Sequence, residues 1–137
     1  MGQQQMLLVI LMTILVGIAT IVALNFFSTR ADQANRDAVR QDILSAAANA
    51  ESYYIRPASR GGGDGDFNEL ELEHLGLPGR IEGNEVINDN GVYSISEPDE
   101  LSFEIRAELA TSNDVITATI SIDSDDQYQI DWNGGGD

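Results

Sequence analysis

The hydropathic rhythm of the chain changes twice. From Met6 to Phe27 it reads MLLVILMTILVGIATIVALNFF, 22 residues without a charge. As an α-helix rising about 1.5 Å per residue this run spans about 33 Å, close to the hydrocarbon thickness of a bilayer. From Ser28 to about Tyr54 the composition turns polar, yet no glycine or proline intervenes, and the alanine, arginine and glutamine found there favour helix. Val39, Ile43, Ala46, Ala50 and Tyr53 follow at spacings of four, three, four and three, which makes one apolar stripe on a helix. Asp32 with Arg36 and Asp37 with Arg40 have the spacing of ion pairs on its solvated side. The pattern predicts one helix from about Gln4 to Ile55, about 78 Å long. Arg56-Pro57 stops it, because the residue before a proline disfavours the helical region.

Beyond Pro57 the period becomes two. The stretch ASRGGGDGD reads as a loop, and FNELELEHLGLPG as a short helical turn. Leu101, Phe103, Ile105, Ala107 and Leu109 alternate with polar residues, as do Ile116, Ala118, Ile120 and Ile122, and then Tyr128, Ile130 and Trp132. A further strand around Gly91 to Ser96 precedes the turn signal Glu97-Pro98-Asp99. Short linkers make antiparallel neighbours of these strands. The expected fold class is α+β, with a long N-terminal helix packed on a small four-stranded antiparallel meander. The expected parts are residues 1–27, the hydrophobic half of the helix, and residues 28–137, the amphipathic half with an acidic β-sheet head.

Charge narrows the partners. The 137 residues carry 23 acidic against seven basic side chains, for a formal net charge of -16, and every basic residue is an arginine. Such a surface repels nucleic acid, which is therefore not an expected partner. It also suits high salt, where screening suppresses self-repulsion, so a saline habitat is a hypothesis. With no cysteine, a disulfide framework and a thiolate metal site are excluded. No basic residue precedes the apolar run, and the run is longer than a cleaved secretory segment, so it reads as retained.

Candidate chemistry is sparse. Asp64, Asp66 and Asn68 copy the opening of a calcium loop, but Glu69 stands where that loop needs glycine and Leu75 where it needs glutamate. A flexible acidic loop is the favoured reading. Asp123, Asp125 and Asp126 read as a solvated hairpin turn, and His74, the one histidine, has no nucleophile-and-acid partnership in the sequence. Gly61 to Gly63 and Gly134 to Gly136 read as linker and tail. Tyr128 and Trp132 read as core residues before ligand-stacking ones. Neither a catalytic site nor a cofactor is expected, and the chain does not read as an enzyme.

The order of elements resembles the type IV pilin superfamily, whose members carry a retained hydrophobic half-helix, an amphipathic continuation and a β-meander packed on it. The resemblance implies processing by a prepilin-type peptidase after a glycine, here Gly2, leaving Gln3 as the first mature residue. It implies storage in the inner membrane, then polymerisation by assembly machinery into an extracellular filament of identical subunits. The implied assembly surface is Gln3, Gln4, Gln5, Met6, Leu7, Leu8, Ile10, Leu11, Ile14, Leu15, Gly17, Ile18, Ile21, Val22, Leu24, Phe26 and Phe27, with local unwinding near Gly17. Leu7 stands where the family carries a glutamate, and the leader lacks basic residues. Gln3, Gln4 and Gln5 then offer neutral hydrogen bonds in the carboxylate's place. The alternatives are a minor tip pilin, a pseudopilin of a secretion system, or an extracellular binding domain on a single-pass anchor.

Overall fold

A computed structural model of the chain describes residues 2–96 and 98–134. Met1 of the expected leader, Glu97 of the turn signal, and Gly135 and Gly136 of the expected tail lie outside the described residues. The elements are α1 (Gly2–Ile55), a 3-10 turn (Ala58–Arg60), α2 (Leu72–Leu75), β1 (Arg80–Glu82), β2 (Glu85–Ile87), β3 (Gly91–Ser96), β4 (Ser102–Leu109), β5 (Val115–Ile122) and β6 (Tyr128–Asn133). The class is α+β. The chain divides into two compact units, residues 1–34 and 35–137, which are taken in turn.

The first unit is helical throughout its described residues, Gly17 included. Its threonine hydroxyls bond back along the helix. Thr13 donates to the Val9 carbonyl at 2.8 Å, Thr20 to Val16 at 2.7 Å and Thr29 to Asn25 at 3.0 Å.

In the second unit the strands form one sheet in sequential order, with every neighbouring pair antiparallel. The sheet has six strands where four were expected. The addition is the β1–β2 hairpin, closed by Glu82 opposite Glu85 around Gly83-Asn84, with Gly83 in the left-handed region (φ 62°). Two three-residue strands rich in charge carry too little alternation to be seen by period, although Gly-Asn is itself a hairpin signal.

The helix stripe and the alternating strands meet as expected. Val39, Ile43, Ala46, Ala50 and Tyr53 are buried in one core with Tyr93, Phe103, Ile105, Leu109, Ile116 and Ile120. The segment after the loop contributes Phe67, Leu70 and Leu75. Phe67 meets the Phe103 ring edge-on at 5.0 Å. Two strand expectations need correction. Leu101 precedes β4 and is exposed, and Trp132 is 39% exposed at the end of the edge strand β6, not in the core. The Arg40 guanidinium lies 5.8 Å from the Trp132 ring centroid, a loose cation–π contact.

The glycine loop is not a free linker. The N–H groups of Gly63 and Gly65 donate to the carbonyls of Tyr53 and Tyr54, each at 2.8 Å, and that of Asp64 to Arg56 at 3.0 Å. These are carbonyls that a helix end leaves without intrahelical partners. A Cβ on Gly62 would come within 2.1 Å of the Arg56 carbonyl oxygen, and one on Gly63 within 2.1 Å of the Asp66 carbonyl oxygen. Only glycine lets this chain lie so close over the end of α1.

Candidate assembly site

Two surfaces bear on function: the apolar part of the first unit, and the polar contacts that hold α1 to the sheet in the second. Between Met6 and Phe27 the large apolar side chains are 52 to 69% exposed. α1 contains a stretch long and apolar enough to cross a membrane. Burying such surface is worth about 25 cal/mol per Å², so leaving a run of this length in water is costly. The threonine bonds described above leave few polar groups unsatisfied, which suits a medium without water. At the end of the run the Arg30 guanidinium lies 4.9 Å from the Phe26 ring centroid. A Cβ added to Gly17 would meet no described atom within 4 Å beyond the adjoining turns of its own helix backbone.

In the second unit, Asn35, Asp42 and Asn49 stand seven residues apart, and so lie on one flank of the helix. Asn35, 8% exposed, donates to the Asn90 carbonyl at 2.8 Å and accepts from the Thr111 hydroxyl at 3.0 Å. The Asp42 carboxylate accepts from the Tyr93 hydroxyl at 2.6 Å, from the Asn90 amide at 2.9 Å and from the Asn88 amide at 3.2 Å. Asn49 donates to the Leu75 carbonyl at 2.7 Å, at the end of α2. Asn88 Oδ1 in turn accepts the N–H groups of Asn90 and Gly91, which shapes the turn into β3. Burial, then the hydrogen bond and charge of Asp42, hold the Tyr93 phenol well above its usual range. On the other flank the Tyr128 hydroxyl donates to the Ala47 carbonyl at 2.8 Å, and burial followed by Glu51 raises its phenol too. The sequence pattern assigned Asp42 no role. The seven-residue interval was the available signal, but it names no partner.

The remaining candidates take structural places. Arg36 pairs with Asp114 of the β4–β5 turn, not with Asp32. Asp64 adopts a left-handed backbone (φ 53°), and Asp66 accepts the Asn68 N–H at 2.7 Å in a local turn. Among the described residues no group of three or more His, Cys, Asp or Glu side chains is gathered to hold a metal ion. His74 Nδ1 accepts the Glu71 N–H at 3.0 Å and its ring stacks on Tyr53 at 4.4 Å. Asp123 accepts from the N–H groups of Asp125 and Gln127, both at 2.9 Å, which forms the β5–β6 turn. Set against known proteins, the chain matches no protein family, no curated protein and no solved structure.

Proposed function

We propose that this chain is the structural subunit of an extracellular helical filament of the type IV pilin kind. The apolar run is held in the inner membrane before assembly and packed among copies of itself afterwards. The observation that carries this reading is the exposed run Met6 to Phe27 on the same helix, α1, whose later turns form the core of an acidic β-sheet unit. A lipid anchor needs only the run. Gly17 adds support for packing against copies: glycine inside a helix costs about 1 kcal/mol against alanine, and nothing within this chain requires it. A small residue lets another helix approach closely. The assembly surface is then Gln3 to Phe27, with a prepilin-type peptidase cutting after Gly2 and assembly machinery extracting the subunit from the membrane. A minor tip subunit or pseudopilin is the second reading, favoured by Leu7 in the place of the family's glutamate.

The test is to shear surface filaments from cells, image them, and sequence the peptides they yield. Thin filaments made mainly of this chain, starting at Gln3, support the major-subunit reading. A chain confined to the membrane fraction, with no filament containing it, refutes it. A trace of the chain in filaments built of another subunit favours the minor role.

A further inference from the structure

We propose that in the filament the β6 edge of one copy pairs antiparallel with the β1 edge of the next, joining their sheets side by side. The inference rests on the subunit reading above and names a contact within it. The sheet ends at β1 on one side and β6 on the other. An edge strand presents a row of backbone donors and acceptors that templates a further strand. Strand polarity allows the two edges to meet. Five successive antiparallel pairings leave β1 and β6 running in opposite directions. Copies that share one orientation therefore bring β6 against β1 as antiparallel neighbours, and such a head-to-tail contact propagates instead of closing.

The side chains at the two edges match. Ile81 belongs to the cross-strand row of Val86, Tyr93, Ala107 and Ile116, all buried, so it lies on the helix side of the sheet. Trp132 lies opposite buried Ala118, on the same side. Yet Ile81 is 48% and Trp132 39% exposed, each at an outer strand. Charge then selects the register. Arg80 set opposite Asp131 brings Ile81 opposite Ile130, with Trp132 on the diagonal, and Glu82 opposite Gln129. Sliding by two residues one way sets Glu82 against Asp131, a like-charge pair, and the other way sets Arg80 against Gln129, which loses the opposite-charge pair. Among the described residues Arg80 pairs with the exposed Glu82, at 2.7 Å.

The absence of cysteine allows a direct test on the full-length chain. Glu82→Cys and Gln129→Cys are introduced together and singly, with the fold of each variant checked by circular dichroism. Opposed residues bring their Cβ atoms to about 4.5–5.5 Å, near disulfide range. Oxidised filaments of the double variant are expected to give a ladder of cross-linked multimers, and the single variants none. Arg80→Asp should lower the cross-linked fraction by up to about fivefold, with recovery in R80D/D131R. Filaments that contain the double variant but give no ladder overturn the edge pairing and leave the subunit reading standing. Dimers from a single variant overturn it in favour of a two-fold contact. A chain that forms no filament in any form overturns the subunit reading and this contact with it.

Discussion

Replacing Asp42 by alanine tests whether the polar flank of α1 holds the helix to its sheet. The carboxylate takes three hydrogen bonds, the shortest from the Tyr93 hydroxyl at 2.6 Å. Tyr93 is fully buried, so without Asp42 its hydroxyl loses the acceptor of its proton, at about 1–3 kcal/mol. The amides of Asn88 and Asn90 are only partly buried and recover water, and Asn88 keeps its bond to the Pro78 carbonyl at 2.8 Å. Their loss adds about 1 kcal/mol. The total is about 2–4 kcal/mol, which at a slope of about 1.5 kcal/mol per molar urea lowers the unfolding midpoint by about 2 M. The assay is urea unfolding of a fragment beginning at Ser28, followed by circular dichroism. Asp37→Ala is the control, since that side chain is exposed on the same helix and should change stability by under about 0.5 kcal/mol. Tyr93→Phe should cost about 1 kcal/mol, and the double variant D42A/Y93F less than the sum of the two. A D42A midpoint no lower than that of D37A, or strict additivity in the double variant, refutes the reasoning.

Three further outcomes are expected. Gly63→Ala places a methyl 2.1 Å from the Asp66 carbonyl oxygen and 2.8 Å from the Tyr53 ring, so the loop over the end of α1 must shift, at about 1–3 kcal/mol; a melting temperature equal to the parent's would contradict this. The Tyr93 and Tyr128 phenols are raised in the folded state, chiefly by burial. Their contribution to stability is thus whole below the free phenol value of about 10 and is lost as pH rises beyond it. Urea titrations from neutral to alkaline pH should show that fall, and it should shrink in Y93F/Y128F; a fall of the same size in that variant would rule the two phenols out. Finally, with 23 acidic against seven basic residues, and only two ion pairs among the described residues, the soluble fragment should gain stability as salt is added. An unchanged melting temperature between low and high salt would remove the argument for a saline setting.

The parts of the fold legible in the sequence are those where residues a few positions apart share one environment. The uncharged run to Phe27, the stripe from Val39 to Tyr53, and the alternation in β4 and β5 each repeat with the period of their own backbone. Avoidance of water alone therefore reveals them. The β1–β2 hairpin escaped because three residues are too few to show a period.

Contacts between distant residues required the folded chain. Nothing near Asp42 in sequence indicates Tyr93, 51 positions away, and nothing near Tyr128 indicates the carbonyl of Ala47, 81 positions away. Asp42 and Asp37 look alike as letters. The helix rotation set by the buried stripe turns one toward the β2–β3 turn and leaves the other in water. Trp132 shows the converse: its alternation is right for a core position, but on the edge strand β6 it stays 39% exposed. The glycines at 62 and 63 read as flexibility until the carbonyls at the end of α1 show why no larger residue fits. In each case local sequence sets which backbone forms and which face is apolar. The partner of a polar group is chosen by the packing that brings distant strands and turns against the helix.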